Sequence, residues 1–197
     1  MSRPSVAQPH ASVSPRLIAR AAGVFYLLIF IAAPSGASTA TPLKMTVTMV
    51  CDIGVALAFY ALFKPVSRNL SLVALLFRLG FVAGMIIDSL DYFGSAHSAH
   101  DFDTLYMLAL VPFGIHCLLI GYLIYKSTFL PRFLGVLMII AGLCYVTFVS
   151  PSFIHYVSPY ILIPGAIGEG TLTLWLLIAS VNSVRWAQQA GVPPPAK

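Results

Sequence analysis

The chain has 197 residues, of which 59% are hydrophobic and only 9% are charged. Soluble domains carry about 25% charged residues, so this chain has too few charges to cover a water-facing surface. The composition therefore excludes a typical soluble enzyme or disordered protein, and it argues against a nucleic-acid-binding module although the net charge is +5. It predicts an all-α, multi-pass membrane protein whose main partner is the lipid bilayer.

Six apolar stretches reach or approach the roughly 20 residues that a helix needs to cross the hydrocarbon core. Together they predict a bundle of six transmembrane helices within one domain, residues 16–185. The predicted spans are 17–33, 45–63, 70–90, 104–125, 134–150 and 159–184. Residues 1–15 are rich in Ser and Pro and residues 186–197 contain three consecutive prolines, so both ends are predicted to be disordered tails.

The first span also fits a second interpretation. Arg16 and Arg20 precede the apolar stretch 21–33, and small residues follow at 34–37. This order of charge, apolar run and small residues is typical of a cleaved signal peptide. Composition favours a retained helix but leaves both interpretations open.

The positions of the basic residues predict the orientation. If both termini are cytoplasmic, nine basic residues lie on the cytoplasmic side, whereas only Lys44 lies outside and Arg78 lies within a span. The nine are Arg3, Arg16, Arg20, Lys64, Arg68, Lys126, Arg132, Arg185 and Lys197. This asymmetry follows the positive-inside rule for a plasma-membrane protein, so the net positive charge indicates topology and not nucleic-acid binding.

Four ionisable residues fall near the middle of the predicted spans: Asp52, Arg78, His116 and Glu169. A charge at the bilayer centre costs at least about 2.5–3.5 kcal/mol, so such residues are expected to be paired and are functional candidates. The short connection between spans two and three allows Asp52 to meet Arg78. We expect His116, protonated, to pair with Glu169, which would make the cluster neutral.

Local sequence supports a polar cavity beside these residues. Pro112 and Pro164 each remove a backbone donor within a predicted span, and irregular backbone at membrane depth is tolerated where it lines a cavity. Thr173 lies one helical turn from Glu169 and extends its polar face. Asp52, Arg78, His116, Glu169 and Thr173 are therefore the candidate ligand or proton site. The alternative is that the charges only fix the packing of the helices.

The loop after span three offers weak candidates for metal binding. His97, His100, Asp101 and Asp103 are residue types that bind divalent cations, but a solvated loop has the same composition, with Asp101 as a helix cap. The three cysteines are scattered in apolar runs and predict no disulfide framework. The sequence contains no catalytic or nucleotide-binding motif, and we predict no cofactor.

The chain resembles a bacterial family of six-span integral membrane proteins known only as a domain of unknown function (DUF4386-type). The resemblance covers about residues 20–180 and is carried by Tyr26, Asp52, Lys64-Pro65-Val66, Arg78, His116–Gly135 and Gly168-Glu169. It implies a bacterial inner-membrane protein in which the first span is retained and the four ionisable residues belong to the family pattern. The His/Asp loop is not part of that pattern, and the family supplies no activity.

Three functions fit these features. The first is binding or passage of a small molecule or of protons at the polar cluster, with His116 as the charge that switches. The second is a membrane enzyme that acts on a lipid-soluble substrate, with Glu169 or His116 as general acid or base. The third is a structural membrane protein. A carrier of only six spans is expected to act as a homodimer.

Overall fold

The computed structural model describes residues 14–33, 41–94, 99–150 and 160–193. Most of these residues are helical, and the described part of the chain contains no strand. The seven α-helices are α1 (Pro15–Ala32), α2 (Pro42–Phe63), α3 (Arg68–Gly94), α4 (Ala99–Lys126), α5 (Arg132–Val146), α6 (Ile163–Ile178) and α7 (Ser183–Ala190). Short 3-10 turns extend α5 (Thr147–Val149) and precede α6 (Tyr160–Leu162). The first six helices, α5 and α6 together with their 3-10 turns, are long and apolar enough to cross a membrane, which confirms the predicted all-α, six-span fold class.

Helix starts follow from local chemistry. Pro15 and Pro42 lie in the first turns of α1 and α2, where a missing N–H costs nothing. The Thr41 side chain accepts a hydrogen bond from the Lys44 N–H (3.3 Å) and caps α2. Ser67 does the same for α3, because its hydroxyl accepts from the Leu70 N–H at 3.4 Å. The short turns therefore set the ends of the spans.

The six spanning helices form a closed ring in chain order. Each helix contacts the next, and α6 returns to contact α1. Because the connections are short, neighbouring helices run in opposite directions. We call the end that holds the turns 64–67 and 127–131 the basic end, since most basic residues lie there, and the other end the opposite end.

The outer surface of the ring is apolar, and polar groups lie inside it. Leu17, Ile87 and Ile178 are 61%, 60% and 77% exposed, whereas the largest fully buried side chain is Arg78. A soluble protein shows the reverse distribution. The arrangement is the one expected when lipid is the solvent, because the bilayer favours apolar contact and excludes charge.

Glycines bring α4 and α5 into backbone contact. A Cβ at Gly121 would lie 2.7 Å from the Gly135 carbonyl oxygen, and a Cβ at Gly142 would lie 2.7 Å from the Gly114 carbonyl oxygen. No side chain fits at these positions without separating the helices. Small residues at helix contacts are the usual basis of tight packing in membranes.

The sixth span is shorter than predicted. We expected one helix over 159–184 and a disordered tail from 186, but α6 ends at Ile178 and residues 183–190 form α7. Ser180 has a positive φ of 59°, which breaks the helix, and the Asn182 side chain caps α7 by accepting from the Arg185 N–H (3.1 Å). The parts of the predicted tails at 1–13 and 194–197 lie outside the described residues.

The α7 helix is attached to the bundle. The Trp186 Nε1–H donates to the Leu62 carbonyl at 2.9 Å, and the Asn182 N–H donates to the Phe129 carbonyl at 3.2 Å. A glycine in the left-handed conformation, Gly191, ends α7. Residues 183–190 are therefore part of the folded domain.

Pro164 acts differently from our expectation, whereas Pro112 lies inside a spanning helix as predicted. Pro164 lies in the first turn of α6, where it does not interrupt a helix, because Tyr160–Leu162 form a separate 3-10 turn. α4 continues through Pro112. Asp101 lies inside the first turn of α4 and not before it, so it does not cap the helix at the predicted place. Of the two prolines, only Pro112 therefore removes a backbone donor from the interior of a spanning helix.

Candidate functional site

A buried ion pair joins α2 and α3. Arg78 Nε and Nη2 both donate to Asp52 Oδ1, at 3.0 and 2.5 Å. The side chains are 1% and 2% exposed. The predicted pair is therefore present. It forms because the short turn between α2 and α3 holds two mid-span charges at the same depth.

The remaining guanidinium nitrogen of Arg78 contacts α1 and α4. Nη1 donates to the Tyr26 hydroxyl at 2.8 Å and lies 3.2 Å from His116 Nε2. His116 Nδ1 is 2.8 Å from the Ala74 carbonyl. A carbonyl only accepts and a guanidinium only donates, so Nδ1 carries the proton and Nε2 is the acceptor. His116 is therefore neutral in this arrangement, contrary to our expectation of a protonated partner for Glu169.

Aromatic rings enclose the Arg78–His116 contact. The Arg78 guanidinium carbon lies 4.7 Å from the Tyr26 ring centroid and 5.1 Å from that of Phe113. The His116 ring stacks with Phe59 at 6.3 Å and with Phe113 at 6.0 Å. Cation–π contacts contribute about 0.5–2 kcal/mol each when desolvated. Arg78 thus links α1, α2, α3 and α4 through groups that leave it little freedom.

Glu169 lies apart from His116 and has a different partner. Its Oε1 accepts a hydrogen bond from the Tyr145 hydroxyl at 2.6 Å, which joins α6 to α5. A Cβ at Gly165, one turn earlier, would collide with the Tyr145 ring, so the absence of a side chain there lets the tyrosine reach Glu169. The predicted His116–Glu169 pair is wrong.

Thr173 does not extend the polar cluster as predicted. Its hydroxyl donates to the backbone carbonyl of Glu169 at 2.7 Å, so it is satisfied within α6. The side chain is buried at 2% exposure. The hydroxyl hydrogen of Thr173 is therefore used within α6, and Thr173 is not among the described lining residues of the cavity.

One cavity of about 280 Å³ adjoins both buried pairs. Its polar lining residues are Thr48, Asp52, Arg78, Tyr106, Tyr145 and Glu169. The rest of the lining is mainly apolar side chains from α1, α3, α4 and α6. Three of the five predicted site residues thus share one cavity, whereas His116 and Thr173 are not among its described lining residues.

Lining residues of the cavity reach the outer surface on α1 and in the turn just before α6, in the half of the bundle near the opposite end. Phe30 and Leu162 both line it and are 46% and 40% exposed. In the other half the two helices are in contact, since Gly23 packs against Leu177 and Ser180 Oγ donates to the Arg16 carbonyl at 3.3 Å. The mouth therefore faces sideways, where lipid would lie.

Among the charged groups of the cavity, Glu169 is the most accessible. It is 8% exposed, against 2% for Asp52 and 1% for Arg78. Asp52 and Arg78 also satisfy each other, whereas the described partner of Glu169 is a neutral hydroxyl. The cavity thus offers Glu169 as a hydrogen-bond acceptor in a lining that also includes many apolar side chains.

The described part of the chain holds no group of three or more potential metal ligands. His97 lies outside the described residues. His100, Asp101 and Asp103 belong to α4, but their side chains are not described. The four residues of this loop therefore stay weak candidates that the described residues do not test.

Sequence reasoning missed Tyr26 and Tyr145, which hold Arg78 and Glu169. Both tyrosines lie within apolar spans, away from the membrane interfaces where this residue is common. A buried tyrosine hydroxyl needs a hydrogen-bond partner. The position of each tyrosine in the middle of a span could therefore have predicted a polar partner there.

Comparisons with known proteins give a family but no activity. The family model described as "Domain of unknown function (DUF4386)" matches residues 39–101 and 88–179. The chain is similar to an uncharacterized protein of Archaeoglobus fulgidus, with 36% identity over 101 residues. The match includes 50% of this chain and 58% of the relative, so the chain spans little more than half of the relative's length. No solved structure matches.

Proposed function

Because the chain belongs to the family described as a domain of unknown function (DUF4386), which names no activity, we propose a function from its own cavity. The protein binds a small amphiphilic molecule that arrives from the lipid phase. The polar head of this molecule contacts Glu169, and its apolar part lies along α1 and α6. The observation that carries the proposal is the sideways cavity with Glu169 as its most accessible charged group.

The donors of Arg78 are already occupied, and this limits the kind of ligand head group that can bind. Asp52, Tyr26 and His116 already accept from its three nitrogens, so Arg78 is poorly placed to bind an anion. Glu169 is an acceptor, and the charges of Asp52 and Arg78 in the same lining offset each other. A head that donates hydrogen bonds, such as an amine or an alcohol, fits this surface better than a carboxylate.

The size of the cavity limits the ligand. Ligand pockets usually have volumes of about 300–1,000 Å³, and this one is near the lower bound at about 280 Å³. On the side of the basic end, Phe59, Phe63 and Phe129 pack in sequence behind His116. Such packing favours binding over passage through the bundle.

A chemical role is a second candidate. The Tyr145 hydroxyl donates to the Glu169 carboxyl beside the cavity, and a carboxyl group with a hydroxyl neighbour is able to move protons. A sideways mouth would admit a lipid-soluble substrate. Turnover of the bound molecule, and not binding alone, would distinguish this function.

The test uses 1-octylamine, 1-octanol and octanoic acid as probes of one chain length, and measures the melting temperature of the purified protein in detergent. The amine and the alcohol should stabilise the protein, because ligands that bind the native state raise its stability. Glu169→Gln should lose the effect of the amine, whereas Thr173→Val should keep it.

Two further variants test where the probe binds. Ala166→Trp places a large ring at the mouth and should abolish stabilisation by both probes, whereas Ile167→Trp adds the same ring at an exposed neighbouring position outside the lining. If octanoic acid stabilises the protein as well as the amine does, or if Glu169→Gln responds like the wild type, the proposal is wrong.

We also infer that the basic end faces the cytoplasm of the plasma membrane, with both termini on that side. The support is the distribution of charge. Arg16, Lys64, Lys126 and Arg185 belong to the basic end, whereas Lys44 is in the first turn of α2 at the opposite end. The positive-inside rule favours this orientation.

A further inference from the structure

A second polar region lies at the basic end, far from the central cavity. Here the turn 127–131 and α7 border a groove of about 800 Å³, which we call the basic groove. Its lining includes three cationic side chains, Lys126, Arg132 and Arg185. None of its lining residues is acidic. The positive charge in the groove is therefore not neutralised by the lining itself.

Hydrogen bonds fix the two sides of the basic groove. The Thr128 N–H and hydroxyl both donate to Gln189 Oε1, at 3.0 and 3.1 Å. Arg185 Nη1 donates to the Thr128 carbonyl at 3.4 Å. These contacts hold α7 against the turn, so the cations are presented by an ordered surface and not by a free tail.

Aromatic side chains position the other two cations. The Lys126 ammonium lies 5.8 Å from the Tyr122 ring centroid, and the Arg132 guanidinium carbon lies 5.5 Å from that of Tyr125. Both tyrosines are 45% exposed. Tyrosines near the end of a spanning helix are typical of the depth of lipid headgroups.

The basic groove continues towards the lipid-facing side of the bundle. A second cavity of about 520 Å³ shares Thr128, Pro131 and Arg185 with it and extends to Arg16 and Trp175. Trp175 packs edge-to-face with Phe133 at 5.7 Å, and Phe133 is 49% exposed. A cationic groove that leads to the half-buried Trp175 and the exposed Phe133 matches a molecule with a phosphate head and an acyl chain.

We propose that the basic groove binds the phosphate headgroup of an anionic phospholipid, with its acyl chains beside Phe133 and Trp175. Basic pockets at the membrane interface bind such headgroups through charge and hydrogen bonds. A free phosphate ion would use the same cations but would gain nothing from the aromatic surface. This inference does not depend on the function proposed for the central cavity.

The test compares phosphatidylglycerol with phosphatidylcholine of the same acyl chains, bound to the full-length protein in detergent and counted by native mass spectrometry. The wild type should retain phosphatidylglycerol more strongly. Lys126→Gln with Arg132→Gln should weaken phosphatidylglycerol binding by about tenfold or more, because each cation near the headgroups contributes about 1 kcal/mol. This variant leaves Arg185 and the attachment of α7 intact.

The matched control is Lys64→Gln with Arg68→Gln, which removes two charges from the same end but outside the lining of the groove. It should keep the preference for phosphatidylglycerol. All four side chains are at the surface, and unchanged melting temperatures verify folding. If either double variant fails to fold, Arg132→Gln is compared with Arg68→Gln. Arg132→Gln should again bind phosphatidylglycerol more weakly.

Three results would overturn the proposal. In the first, the groove variant keeps the preference for phosphatidylglycerol. In the second, both double variants lose this preference equally, and that loss would indicate diffuse attraction to the whole basic end. The third is displacement of the lipid by an equal concentration of glycerol 1-phosphate, which has the phosphate head without acyl chains. That result would assign the groove to a soluble anion.

Discussion

Arg78 is the residue on which four helices converge. It donates to Asp52 on α2 and Tyr26 on α1, and it contacts His116 on α4. Removal of a partner from a buried ion pair leaves an uncompensated charge, which costs more than the pair itself contributes. The stability of the bundle should therefore depend on Arg78 and Asp52 jointly.

Arg78→Met should lower the free energy of unfolding by about 3–5 kcal/mol, because Asp52 is left buried without its partner. The same chain with Asp52→Asn added should recover part of this loss, since no charge is then stranded. Reversible unfolding of the purified protein in mixed micelles measures both values. Equal losses in the single and double variants would show that the buried charge is not the cause. Arg68→Gln, at an exposed site, is the control.

The sequence was sufficient to predict the Asp52–Arg78 pair but not the partner of Glu169. Asp52 and Arg78 have similar depths on helices joined by a short turn, so few alternatives exist. Glu169 and His116 also have similar depths, but depth does not specify position around the ring. α5 lies between their helices, and it supplies Tyr145 to Glu169 instead.

At the scale of elements, the α4–α5 contact is the closest in the ring. Gly121→Ala places a methyl group where the Gly135 carbonyl oxygen is 2.7 Å away and the Ile139 N–H nitrogen is 2.9 Å away. Both neighbours are backbone atoms and cannot rotate aside. The two helices must separate, and we expect a destabilisation of about 1–3 kcal/mol, which is the usual cost of overpacking.

Gly170→Ala is the matched control for this prediction. A Cβ at Gly170 meets no atom within 4 Å, although the residue also lies within a spanning helix. Its melting temperature should equal or exceed that of the wild type, because alanine favours the helix more than glycine does. If both variants melt at the same temperature, close packing at Gly121 does not limit stability.

The α7 helix shows what hydropathy misses. Residues 183–190 are too polar and too short to be a span, so hydropathy assigned them partly to the last span and partly to a tail. The flanking residues carried a better signal, since Asn182 is a preferred helix cap and Gly191 a preferred terminator. The spans were predictable because length and apolarity define them, whereas α7 depends on contacts such as Trp186 with Leu62.

At the scale of the whole molecule, the orientation can be tested by labelling single cysteines in intact cells. Cys51, Cys117 and Cys144 are replaced by Ala, and a cysteine is introduced at Lys44 or at Lys64. A membrane-impermeant maleimide should label the Lys44→Cys variant, because the opposite end is expected to face outward. It should label the Lys64→Cys variant only after the cells are lysed. The reverse pattern would place the basic end outside.

The Asp52–Arg78 pair also constrains how the chain enters the membrane during synthesis. Asp52 belongs to α2 and Arg78 to α3, so either helix released alone would carry an unpaired charge that costs at least about 2.5–3.5 kcal/mol at the bilayer centre. The short turn 64–67 lets both helices leave the translocon together, with their charges already paired. The α2–α3 hairpin is therefore the smallest unit of this region in which the charges of Asp52 and Arg78 can enter lipid as a pair.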